Sequence, residues 1–143
     1  MQEGLKLFIE YGILGFLFFL SFLTIALGIE RILHYKDLNI SHFDNRHDIE
    51  IDVTKNLTII STIAANSVYI GLLGTVLGIM LTFSSLGETG LIDSKTIMQS
   101  LSYTLVATAA GLLVAIPAIV IYNLLARKAE TIVSKWEKVY GQN

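Results

Sequence analysis

The residues able to do chemistry in this 143-residue chain are mostly hydroxyls set in apolar surroundings. Thr75 and Thr82 lie seven apart in NSVYIGLLGTVLGIMLTFSSLG, and Thr104 and Thr108 lie four apart in IMQSLSYTLVATAAGLLVAIPAIVIYN. Both spacings place a pair on or beside one face of a helix. A threonine hydroxyl donates one hydrogen bond and accepts others, and it does not titrate near neutral pH. Such groups can pass hydrogen bonds along or solvate an ion. Tyr103, beside Thr104, adds a phenol with a reference pKa of about 10, which is neutral at ordinary pH. The chain has no cysteine, so it has no disulfide, thiolate nucleophile or Cys-ligated metal. His42, Asp44, His47 and Asp48 are the other polar cluster. Their spacing matches no standard metal site, and they are read as a solvated loop. No acid, base and nucleophile cluster together, so an enzyme, a cofactor and a metal are not expected.

The elements that hold these hydroxyls follow from where charge is missing. Three windows, Tyr11–Ile29, Asn56–Gly87 and Thr96–Ala126, contain no Asp, Glu, Lys, Arg or His. The whole chain is 53% apolar and 15% charged, with a mean hydropathy of +0.64. A soluble domain spreads its charges over every amphipathic element, so the pattern excludes a soluble enzyme and a disordered chain. It predicts an all-α polytopic membrane protein, residues 1–143 forming a single membrane domain. About 20 apolar residues cross a bilayer core, which puts spans near 10–30, 60–87 and 97–125. The first window is read as a span and not a cleaved leader, because Glu3 and Glu10 flank it and its apolar run is long for such a leader. Its Phe16, Phe18, Phe19 and Phe22 lie around the helix and suit lipid contact. The second and third windows exceed one crossing and are expected to continue as helix beyond the bilayer.

Lys and Arg set the orientation. Arg31, Lys36, Arg46 and Lys55 follow the first span, and Arg127, Lys128, Lys135 and Lys138 follow the third. The N-terminal side offers Lys6, and the loop between the last two spans offers Lys95. The positive-inside rule therefore predicts an N-terminus outside, a cytoplasmic loop over 31–58, an outer loop over 88–96 and a cytoplasmic tail over 127–143. Within the first of these loops, Ile49, Ile51 and Val53 alternate with acids and hint at a short strand. In the tail, Ala129, Ile132, Val133, Trp136 and Tyr140 recur at helical spacing, predicting that the third span runs on as an amphipathic helix ended near Gly141. Glu88 and Asp93 in the short loop are read as solvated, with attraction of cations as the alternative. A net charge of −2 leaves no basic field for nucleic acid.

Small residues line the faces that carry the hydroxyls. Gly71, Gly74 and Gly78 repeat every three or four residues, and Ala107, Gly111 and Ala115 every four. Such stripes let helix backbones approach in lipid. Pro117 removes one N–H within the third span and frees the carbonyl of Leu113. The short loop makes the two spans an antiparallel hairpin. Thr75 and Thr108 then lie roughly 11–12 residues, about 16–18 Å, below its outer end. Two readings of these faces stay open on physics alone: helix packing, and a polar ring around an ion route. No carboxylate lies within the charge-free windows, so proton movement would need a titrating group from a partner.

The segments YIGLLGTVLGIMLTF (Tyr69–Phe83) and TLVATAAGLLVAIPAIVIYN (Thr104–Asn123), with ERIL after the first span, resemble the MotA/TolQ/ExbB proton channel family, most of all its ExbB branch. The resemblance implies a helical ring of identical subunits, a pentamer, in the bacterial inner membrane. The ring encloses the single span of an ExbD-like partner whose membrane aspartate carries protons. A TonB-like protein passes the resulting motion to outer-membrane receptors, as in iron uptake. Thr75 and Thr108 match the family's pore-lining threonines. The family often has a glutamate five residues before the second of these, where this chain has Tyr103; that departure shifts the titrating role to the partner. A flagellar-type subunit would need a fourth span. A TolQ-like role in outer-membrane integrity stays open, as does a membrane scaffold with no ion path.

Overall fold

The computed structural model describes residues 2–90 and 93–141; residues 91–92 of the short loop and 142–143 of the tail lie outside the described residues. Every regular element among the described residues is helical: α1 (Gln2–Asp37), a 3-10 turn (Ile40–His42), α2 (Arg46–Thr54), α3 (Leu57–Thr89) and α4 (Ser94–Tyr140). α1, α3 and α4 are each long and apolar enough to cross a membrane. With 33 and 47 residues, α3 and α4 reach about 50 and 70 Å, well past a core of about 30 Å. Pro117 sits inside α4 without ending it, the outcome expected where one lost helical bond is shared with neighbouring groups. The Phe16, Phe18, Phe19 and Phe22 rings of α1 are all exposed on the isolated chain.

Local chemistry sets the helix ends. Asn45 starts α2 by accepting the Asp48 N–H through its side chain at 2.9 Å. Asn56, at φ 69°, makes the left-handed turn from α2 into α3, a conformation asparagine tolerates. Gly90, at φ 66°, closes α3 with its N–H on the Leu86 carbonyl. Asp93 caps α4, taking the Lys95 N–H at 3.2 Å and the Thr96 hydroxyl at 2.9 Å. Its carboxylate is therefore a helix cap, more specific than the solvated loop residue the sequence suggested.

The hint of a strand at residues 49–53 is wrong. That stretch is the middle of α2, with Ile49 and Val53 fully buried and Ile51 exposed. Ile49 and Val53 satisfy period 2 and the helical i, i+4 spacing equally, and burial against α4 selects the helix. The connector on its own could hold no core. Docked, it joins one: Tyr35, Ile49, Val53, Leu57, Ile60, Leu125, Ala129, Ile132, Val133 and Trp136 form a single apolar cluster. Trp136 packs within the chain and donates its ring N–H to the Phe43 carbonyl at 3.2 Å. Tyr140 stays largely exposed beside it.

Candidate functional site

α3 and α4 make the most extensive helix pairing, and α1 lies against both. Along the apolar spans they meet through small residues, as the glycine and alanine stripes predict. A methyl placed on Gly71 would stand 2.6 Å from the Ala107 carbonyl oxygen and 3.1 Å from Gly111 Cα. One on Gly111 would stand 2.5 Å from the Ser67 carbonyl oxygen. At Gly74 it would meet Ala107 Cβ at 2.8 Å and Ile13 of α1 at 3.0 Å, and at Gly78 it would overlap the Thr104 side chain. The two backbones touch, and only hydrogen fits between them. Ala107 and Ala115 are buried on the same face, while Pro117 points outward and is exposed.

This close approach brings the hydroxyls together. Thr75, buried between the helices, donates to the Thr104 carbonyl at 3.0 Å and shares a short hydrogen bond with the Thr108 hydroxyl. Thr75 has one hydroxyl hydrogen, so Thr108 donates in the pair while Thr75 serves the carbonyl, and the roles exchange when Thr75 turns to Thr108. Thr75 is enclosed, whereas Thr108 is only half-buried, so a group outside the chain can reach Thr108 while Thr75 backs it. Thr104 turns its own hydroxyl to the Leu101 carbonyl at 2.7 Å. Tyr103 stands apart: its ring is 60% exposed and shares no hydrogen bond with this group. The structure thus joins Thr75 and Thr108 and leaves Tyr103 on the outer surface of α4.

Sequence reasoning missed what lies between this pair and the short-loop end. The first span was bounded at Glu10, yet α1 runs back to Gln2 and carries Lys6 and Glu10 alongside α3. Lys6 Nζ reaches the Thr82 hydroxyl at 3.5 Å. A cavity of about 180 Å³ is lined there by Lys6, Thr82, Ser85, Thr96 and Ser100 with apolar neighbours. A narrower crevice of about 20 Å³, lined by Lys6, Glu10, Gly74, Gly78, Thr104 and Ala107, continues inward. Polar groups therefore line the short-loop end of the helix interface as far as Thr104, and Glu10 puts one carboxylate there. The signal was present in the spacing: Lys6 and Glu10 are four apart and share a helix face.

A second polar assembly, also missed, fastens the connector. Arg31 is 2% exposed. It holds Glu30 through two bonds of 2.6 Å and donates to the Asp52 carbonyl at 2.7 Å. His34 meets the Asp52 carboxylate at 2.6 Å, and the Tyr35 hydroxyl donates to the Val53 carbonyl. Leu17, Thr24, Gly28, Arg31 and Tyr35 lie on one buried stripe of α1 at three-, four- and seven-residue steps. That periodicity marks Arg31 as inward-facing.

Comparison with known proteins decides what these faces belong to. The MotA/TolQ/ExbB proton channel family matches residues 32–138, which include the connector, α3 and nearly all of α4. The chain belongs to that family. It is 53% identical over 133 residues to an ExbB-like 2 protein of Helicobacter pylori, covering 93% of this chain and 89% of that one. It is 46% identical over 142 residues to the biopolymer transport protein ExbB of Aquifex aeolicus, covering 99% and 96%. Against the ExbB of Salmonella typhimurium the match is 44% over 69 residues, 48% of this chain and 28% of that protein. Within the family, the chain is ExbB-like, a membrane protein with three transmembrane helices.

Proposed function

We propose that this chain is the channel-forming subunit of an inner-membrane complex that uses the proton motive force to drive transport across the outer membrane. The observation that carries the reading is the Thr75–Thr108 hydroxyl pair, held across the glycine-packed α3–α4 face of a proton-channel-family chain. In this reading several copies, five by resemblance, form a ring around an ExbD-like single-span partner. The N-terminus is periplasmic, and the connector and tail are cytoplasmic. Thr108 presents its hydroxyl to the partner's membrane aspartate, directly or through water. Thr75 takes up the opposite polarity of the shared bond as the carboxylate gains or loses a proton. The partner supplies the titrating group, and the ring lowers the cost of its charge. Conduction and mechanical coupling to a TonB-like protein replace covalent catalysis, so the chain is not an enzyme and needs no cofactor.

Co-reconstitution tests the proposal. The chain is purified with the ExbD-like protein of its own genome, placed in liposomes, and proton entry is followed with an enclosed pH-sensitive dye. Proton flux is expected from the complex, and not when the partner's membrane aspartate is replaced by asparagine. A stable complex with no flux above empty liposomes would support a non-conducting scaffold instead. Purification with a TolR-like partner would reassign the same chemistry to outer-membrane integrity.

A further inference from the structure

α1 and α4 enclose a groove of about 330 Å³ where their apolar runs end. Ile32 and Leu124 are exposed on its walls, and Tyr35 and Leu125 are buried beneath them. Its charged lining residues are Lys36 and Lys128, and no acidic side chain lines it. Neither ammonium group makes an ion pair among the described residues, whereas nearby Arg31 is already committed to Glu30 and Asp52. Charge-free runs end at Ile29 in α1 and Ala126 in α4, and Lys36 and Lys128 follow them; with spans near 10–30 and 97–125, the groove opens at headgroup level. The larger cavity between α2 and α4, about 480 Å³, differs in kind. Arg46 there already bridges Glu50 and Glu137, and Glu130 adds further negative charge.

We propose that the α1–α4 groove binds an anionic glycerophospholipid from the leaflet at the connector-and-tail end. An acyl chain lies between Ile32 and Leu124 over Tyr35 and Leu125, and the phosphate sits between Lys36 and Lys128. An apolar slot with a cationic rim at headgroup depth matches that ligand in both polarity and charge. A zwitterionic lipid offers the same tail and places a compensating cation beside the lysines. The inference rests on the membrane-spanning reading of α1 and α4 and is independent of the proton route.

The test uses the assembled full-length chain, stripped of lipid in mild detergent. Native mass spectrometry then follows titration with phosphatidylglycerol or with phosphatidylcholine of the same acyl chains. Phosphatidylglycerol is expected to bind preferentially. Lys36→Gln and Lys128→Gln should each weaken it about fivefold, and the double variant about 25-fold, with phosphatidylcholine unchanged. Lys138→Gln, in the tail outside the groove, should bind as the parent does. The Lys36→Arg/Lys128→Arg variant should keep the preference, which separates loss of charge from loss of fold. Equal binding of the two lipids by the parent, or an undiminished preference in the double glutamine variant, would overturn the proposal. So would a photo-crosslinker at position 124 that labels a second copy of the chain in native membranes and not lipid. Binding is read without proton flux, so a failure of the channel reading leaves this result interpretable.

Discussion

Replacing Thr75 by valine keeps the shape of the side chain and removes its hydroxyl, which separates packing from conduction. The structural loss is two interhelical hydrogen bonds, to the Thr104 carbonyl at 3.0 Å and to Thr108. Interhelical bonds in lipid contribute about 0.6 kcal/mol on average and up to about 1.7 kcal/mol. The expected destabilisation is therefore about 1–3 kcal/mol. The backbone contact of Gly71 with Gly111 and Ala107 is untouched, so the hairpin should still form and assemble. Conduction is affected differently. If the pair solvates a partner's carboxylate, each bond to that charged group contributes about 1.5–3 kcal/mol. Thr75→Val leaves Thr108 without the hydroxyl that backs it, and loss of the bond from Thr108 to the carboxylate should slow proton passage roughly 10- to 100-fold. Flux in proteoliposomes and iron-chelate uptake by cells should fall by that factor, while membrane abundance and assembly mass stay near normal. Thr75→Ser should recover most of the flux, because it restores the donor. Normal flux and uptake in both Thr75→Val and Thr108→Val would refute the polar-pair reasoning. Flux falling only in proportion to abundance would reduce the pair to helix packing.

Gly71→Val should prevent the α3–α4 approach, since its Cβ alone would lie 2.6 Å from a backbone oxygen; a cost above about 3 kcal/mol would show as loss of folded protein from the membrane. Gly12→Ala, with nothing within 4 Å of the added methyl, should leave abundance unchanged. Arg31→Met removes the bond to the Asp52 carbonyl, worth about 1.5–3 kcal/mol for a charged donor; its partner Glu30 is half-exposed and adds little. Limited proteolysis should then cut within residues 38–56 while the long helices stay intact. Glu10→Gln should lower proton flux, because Glu10 lines the crevice leading to Thr104; unchanged flux would remove that carboxylate from the route. Tyr103→Phe should reduce flux less than Thr75→Val does, since the phenol lies outside the hydroxyl group, and an equal loss would place it on the pathway.

Much of the site was legible because two of its requirements are periodic. Gly71, Gly74, Gly78, Ala107, Gly111 and Ala115 repeat at helical steps, and an all-apolar window leaves those steps unobscured. Depth was legible too, because rise per residue is constant: counting from the short loop put Thr75 and Thr108 at one level, and their hydroxyls bond to each other. The connector was harder. Ile49 and Val53 fit two periods at once, and nine residues of α2 are too few to separate them. Lys6 and Glu10 were set aside as flanking charges, since a hydropathy window cannot tell a helix end in solvent from one lying against a neighbour.

By itself the sequence determined three apolar helices, their antiparallel hairpin, the faces on which small residues and hydroxyls fall, and the helical tail. These depend on composition and local period, which a single chain segment carries alone. Tertiary structure decided the rest. It turned Arg31 inward onto Asp52, folded the connector into a helix against α4, and laid Lys6 against Thr82 and Glu10 in the crevice that reaches Thr104. It also split the hydroxyl pair into an enclosed Thr75 and a half-exposed Thr108. Each of those outcomes depends on which groups from distant parts of the chain desolvate one another, and that energy exists only once the helices have met.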